Sequence, residues 1–113
     1  IAAAEKTVPQ PRALGADAAL AVKKVTREDG GRLPRLLVDV AAPAGATVVL
    51  FAEGPSPDWA LPVPEPVEGA PSGLQRFAFA LDGLPPGATA KGAELKITAV
   101  AGADAIETTY RLD

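Results

Sequence analysis

Eleven glycines and twelve prolines punctuate this chain, and from Ala18 onward they leave room only for short runs. Between the breaks, apolar residues recur in steps of two, the period of a strand with one buried face. Helical spacing is absent after Gly15. A chain cut this way cannot build long helices, so its core has to come from short strands.

The runs can be read in order. Ala19–Thr26 is closed by the turn residues Glu28-Asp29-Gly30-Gly31. Arg35–Ala41 puts Leu36, Val38 and Val40 on one face and Asp39 on the other. Thr47–Glu53 is apolar on both faces and is predicted to be a central strand. Leu61–Val67 carries proline at 62, 64 and 66. With period-2 geometry those prolines point the same way, which suits an edge strand or a polyproline segment over the sheet. Leu74–Leu81 sets Phe77, Phe79 and Leu81 against Arg76, Ala78 and Ala80. Ala93–Val100 places Ala93, Leu95, Ile97 and Ala99 inward and Glu94, Lys96 and Thr98 outward. Ala105–Leu112 closes the series, with Ile106, Thr108, Tyr110 and Leu112 inward, and pairs with the preceding run as a hairpin.

Seven runs at roughly 8–12-residue spacing predict an all-β fold. The expected architecture is a seven-stranded antiparallel β-sandwich, immunoglobulin- or fibronectin-III-like, spanning 18–113. A length of 113 residues suits one such domain. Residues 1–17 differ: Ile1–Lys6 has helix-forming composition, and Pro9 and Pro11 end it. This stretch is expected to be an interdomain connector, helical or extended, docked on the sandwich, or else a frayed terminus. The chain opens on Ile, which predicts a piece of a longer protein. Aromatic residues make up only 4% of the chain, so the core is expected to be thin and aliphatic.

The absences limit the chemistry. The sequence has no Cys, His or Met. It therefore offers no disulfide, no thiolate nucleophile, no imidazole base and no zinc or copper site of the usual ligands. No cofactor is expected. Net charge is -3 and no basic run exceeds Lys23-Lys24, so a nucleic-acid footprint is not expected. No apolar stretch approaches the roughly 20 residues of a membrane span, so direct membrane insertion is not expected.

Candidate sites are few. Glu65, Glu68, Asp82, Glu94 and Asp104 fall at outward positions or in turns, where carboxylates are ordinarily solvated. A calcium loop near Glu28-Asp29 lacks the dense oxygen ligands it would need. Ser56 and Ser72 lie in proline-rich loops with no His to activate them. Trp59 stands out as the only Trp. It is either a plug over the core or an aromatic anchor for a neighbouring domain, with Asp58 beside it to cap the turn or orient the contact.

The block Phe51-Ala52-Glu53-Gly54-Pro55-Ser56-Pro57-Asp58-Trp59-Ala60-Leu61-Pro62-Val63-Pro64 resembles a segment in the periplasmic part of bacterial thiol:disulfide interchange proteins. These are the DsbD-like and ScsB-type membrane electron transporters. The likeness continues through Phe77–Leu81, Lys91–Leu95 and Ala105–Leu112, and includes the Ala-rich start. The resemblance implies a relay from cytoplasmic thioredoxin through a membrane domain to periplasmic immunoglobulin-like modules. A redox module there needs a Cys pair, which this chain lacks, so no redox residue carries over. The resemblance therefore implies the Cys-free periplasmic module, non-catalytic, lying between a Cys-bearing module and the membrane domain and contacting both. Asp58, Trp59, Pro62 and Pro64 are the expected interdomain contact residues, and the isolated piece is expected to be a monomer. The other reading is an extracellular adhesion or carbohydrate-binding β-sandwich.

Overall fold

Strand formation follows the alternation just described, and in the computed structural model eight strands assemble into two four-stranded sheets. The structure describes residues 10–29, 33–43, 45–56, 58–71, 73–88, 92–102 and 104–112. The expected helix over Ile1–Lys6, the proline stop at Pro9, the glycine pair of the first turn, Pro57, Ser72 and Lys91 lie outside them.

The strands are β1 (Gln10–Pro11), β2 (Ala21–Glu28), β3 (Arg35–Ala41), β4 (Val48–Glu53), β5 (Glu65–Val67), β6 (Leu74–Ala80), β7 (Glu94–Ala101) and β8 (Asp104–Arg111). One sheet runs β1-β8-β7-β4 and the other β2-β3-β6-β5. Among the described residues there is no helix. β7 and β8 form the expected antiparallel hairpin, with Leu95 opposite Tyr110 and Ile97 opposite Thr108.

Inner-face residues of both sheets share one core, including Leu36, Val38, Val40, Phe77 and Phe79 from one and Leu50, Leu95, Ile97 and Ile106 from the other. Large and small side chains alternate across the strands: Ala99 sits between Leu50 and Ile106, and Ala52 beside Ile97. That alternation lets an alanine-rich sequence fill the space between its sheets. Burying each of the larger aliphatic side chains contributes about 1.5–3 kcal/mol.

Four expectations need correction. Among the described residues the strand count is eight, because Gln10–Pro11 adds β1, and β1 runs parallel to β8, so the sheets are not wholly antiparallel. The docking goes further than that pair: the Arg12 amide donates to the Glu107 carbonyl at 2.8 Å, and Thr108 Oγ1 donates to the Arg12 carbonyl at 2.9 Å.

β4 is an edge strand, not a central one. Its second apolar face, Val49 and Phe51, stays exposed at 45% each. Thr98, expected outward, is buried because β7 is central and has Phe51 and Glu107 as cross-strand neighbours. The prolines do not share a side: Pro62 and Pro66 are exposed while Pro64 is buried. Only Glu65–Val67 is a strand, so the two-residue period does not hold upstream of it.

Asp39 bears out the alternation but lies deeper than the alternation alone shows. It faces away from the core as expected, yet it is only 1% exposed, because it lies opposite Arg76 in the neighbouring strand. Arg76 Nε donates to Oδ1 at 2.7 Å and Nη2 to Oδ2 at 3.1 Å, a two-pronged pair that satisfies the buried carboxylate.

A one-residue bulge in β2 resolves a spacing problem. Val22 and Val25 are three apart, so a regular strand would point them to opposite faces. The register skips Lys23, pairing Val22 with Val40 and Val25 with Val38. Both valines then face the same side as those partners, and Lys23 Nζ donates to the Ala16 carbonyl at 2.9 Å.

Candidate interaction site at the Gly54–Pro64 loop

β4 ends at Glu53, and the chain then crosses to the other sheet through a loop that packs around Gly54 and against Gly83 of the β6–β7 connection. At Gly54 a Cβ would stand 2.3 Å from Trp59 Cγ. The indole occupies the space a side chain would need, so only glycine fits under it. The Trp59 amide closes the turn by donating to the Ser56 carbonyl at 3.2 Å.

The next residue is pinned as well. The Ala60 amide donates to the Gly83 carbonyl at 2.8 Å. A Cβ on Gly83 would lie 2.2 Å from the Ala60 carbonyl oxygen, and φ there is +77°. Glycine is thus required at 83 on both steric and backbone grounds.

Trp59 is neither wholly core nor wholly exposed. It is half-buried and packs against the core cluster. It also borders two hollows, of about 580 Å³ and 620 Å³. Glu53, Glu94 and Lys96 line the first, and Arg111 with Glu94 the second. Lys96 Nζ is 3.4 Å from Glu107 Oε2, so the rim carries charges of both signs.

The other expected contact residues disperse. Asp58 is exposed beside Trp59. Pro62 lines a separate hollow of about 360 Å³ on the β5–β6 side, and Pro64 is turned inward. Trp59 and Asp58 therefore share a surface at the end of the first sheet, and the two prolines do not join them.

The carboxylates are placed for structure and solvation. Glu65, Glu68, Asp82, Glu94 and Asp104 are exposed, and Asp82 Oδ1 accepts the Gly83 amide at 2.8 Å. Near the first turn, Glu28 Oε1 accepts from Arg35 Nε at 2.6 Å and Asp29 Oδ1 from Arg27 Nε at 2.8 Å. Among the described residues, no three acidic side chains group to hold a metal ion. Ser56 is exposed.

Asp39 and Arg76 form the polar cluster that sequence reasoning missed. Hydrogen bonding to Asp39, with the attraction of its charge, raises the Arg76 guanidinium above its ordinary pKa, while partial burial opposes the rise. The pair is closed on itself. A signal did exist: one charge sits in mid-strand in each of two apolar runs, Leu36–Val40 and Arg76–Phe79.

Searches against family models, curated proteins and solved structures return no match for this chain.

Proposed function

We propose that this chain is a non-catalytic, immunoglobulin-like module of a bacterial periplasmic thiol:disulfide interchange protein. Its part is to space and dock the redox-active domains. The strand order supports the fold type. β2-β3-β6-β5 and β4-β7-β8 follow the A-B-E-D and C-F-G pairing of constant-type immunoglobulin domains, with β1 added beside the last strand.

The observation that carries the reading is the Phe51–Pro64 block. Its Gly54 and Trp59 are complementary in shape: the glycine exists to admit the indole. Gly54 and Trp59 therefore constrain each other, and the resemblance includes both. A thiol relay requires thiols, and the sequence holds none. Docking through Asp58 and Trp59 to the Cys-bearing module is then the contribution this module makes. Trp59 beside its hollow also suits the alternative, a carbohydrate-binding or adhesion module, in which an aromatic ring stacks on a sugar.

One titration separates the two. The isotope-labelled chain is mixed with a Cys-bearing periplasmic domain of such a transporter, or with an oligosaccharide panel. Saturable chemical-shift changes at Gly54–Leu61 with the protein domain are expected. Saturation by a sugar in their place would favour the alternative, and insulin-reduction turnover by the chain alone would overturn the non-catalytic assignment.

A further inference from the structure

The two sheets have four edges, and three of them are blunted. β1 is two residues long and one of them is Pro11. β5 is three residues long with Pro66 at its centre. β2 is bulged at Lys23 and carries Lys24 and Arg27. Short length, proline, bulges and basic side chains are the features that keep strand edges from pairing. β4 has none of them. It offers six residues in unbroken register with β7, without proline or a basic residue. No other described strand pairs with it. Its outer face carries Val49 and Phe51, each 45% exposed.

We propose that β4 pairs antiparallel with β4 of a second copy of this chain, about a two-fold axis beside Leu50. The strand is self-complementary on that centre. Val49 of each copy faces Phe51 of the other, making two aromatic–aliphatic pairs on the outer face. Leu50 faces Leu50, and Val48 faces Ala52. The strand's single charge, Glu53, falls opposite Thr47, and the two Glu53 carboxylates stand at opposite ends of the pair, so like charges do not meet. A two-fold contact uses the same patch twice and closes at two copies. The product is a continuous eight-stranded sheet. One six-residue strand pair buries less than the about 1,200 Å² of the smaller stable interfaces, so the association is reversible.

The proline-guarded edge at β5 and the open edge at β4 lie on different sheets. Sedimentation velocity of the full chain from micromolar to millimolar concentration should show a concentration-dependent shift toward dimer mass. Phe51→Lys and Val49→Lys, both at exposed positions, should abolish the shift while leaving the amide spectrum folded. Because the chain has no cysteine, introduced thiols report the register directly. A mixture of Val49→Cys and Phe51→Cys chains, oxidised or bridged by a short thiol linker, should cross-link several-fold more than Glu65→Cys chains. A monomer at every concentration overturns the proposal. So does a dimer untouched by the lysine substitutions, or equal cross-linking at both edges. Association that appears only after adding an unrelated extended peptide assigns the edge to another partner and overturns self-pairing.

Discussion

The β4 edge and the β5 edge belong to one small fold and are handled in opposite ways. β5 is reduced to three residues by prolines, and the outer face beside it is filled by Leu37, Ala78 and the Asp39–Arg76 pair. β4 runs for six residues and leaves Val49 and Phe51 in solvent. The inner side of β4 is buried at Val48 and Leu50, whereas none of the three β5 residues is buried. Exposed apolar surface that a fold could readily have made polar marks a surface kept for contact, whereas the proline edge only prevents contact.

The largest test of this contrast is across β4 itself. Leu50→Ala, on the inner face, should cost about 2–5 kcal/mol of stability by denaturant titration. Phe51→Thr, one residue on and outward, should change stability by less than about 1 kcal/mol while weakening self-association. Similar costs at both positions would mean the outer face is covered within the chain.

On the guarded side, Arg76→Met leaves Asp39 buried without its partner and should lower the thermal midpoint clearly. In the native chain the raised Arg76 pKa means its charge stabilises the fold below the ordinary arginine range and is lost only as pH climbs through the folded value. Between pH 6 and 9 the Arg76 charge should therefore contribute no slope, because that range lies far below the one in which arginine titrates.

At the end of β4, Gly54→Ala drives a methyl into the indole and should cost about 1–3 kcal/mol. Trp59 emission should shift to the red in the same variant. An unchanged spectrum would show the ring held by other contacts. The smallest effect is expected at Pro66→Val, within about 0.5 kcal/mol in stability. Its sign in sedimentation matters more: restoring a backbone donor to β5 should raise association at the edge that now resists it.

Much of the fold was legible because its signals are local. Arg35–Ala41 coincides with β3, and β2, β4, β6, β7 and β8 begin and end within two residues of the runs read from the sequence. The inward residues of β7 and β8 follow the alternation. What escaped depends on distant partners. Val48–Glu53 is apolar on both faces, and nothing local separates an interior strand from an open edge. β1 is two residues whose partner, β8, lies at the other end of the sequence. The Asp39–Arg76 contact needs the β3–β6 register, and the split of the three prolines needs to know where β5 starts. In the candidate site, Trp59 was identifiable by its rarity; its dependence on Gly54 was not, because two residues five apart in a loop have no fixed geometry until the loop folds.

The parallel pairing of β1 with β8 has a mechanical side. Because the strands run parallel, the start of β1 and the end of β8 lie at opposite ends of the pair. Tension applied through them would load the β1–β8 bonds in shear, together with the Arg12 bridges to Glu107 and Thr108, all at once. An antiparallel pair held by the same two ends would unzip one bond at a time. Two residues and an arginine thus form a clasp whose bonds share a load rather than yielding in turn.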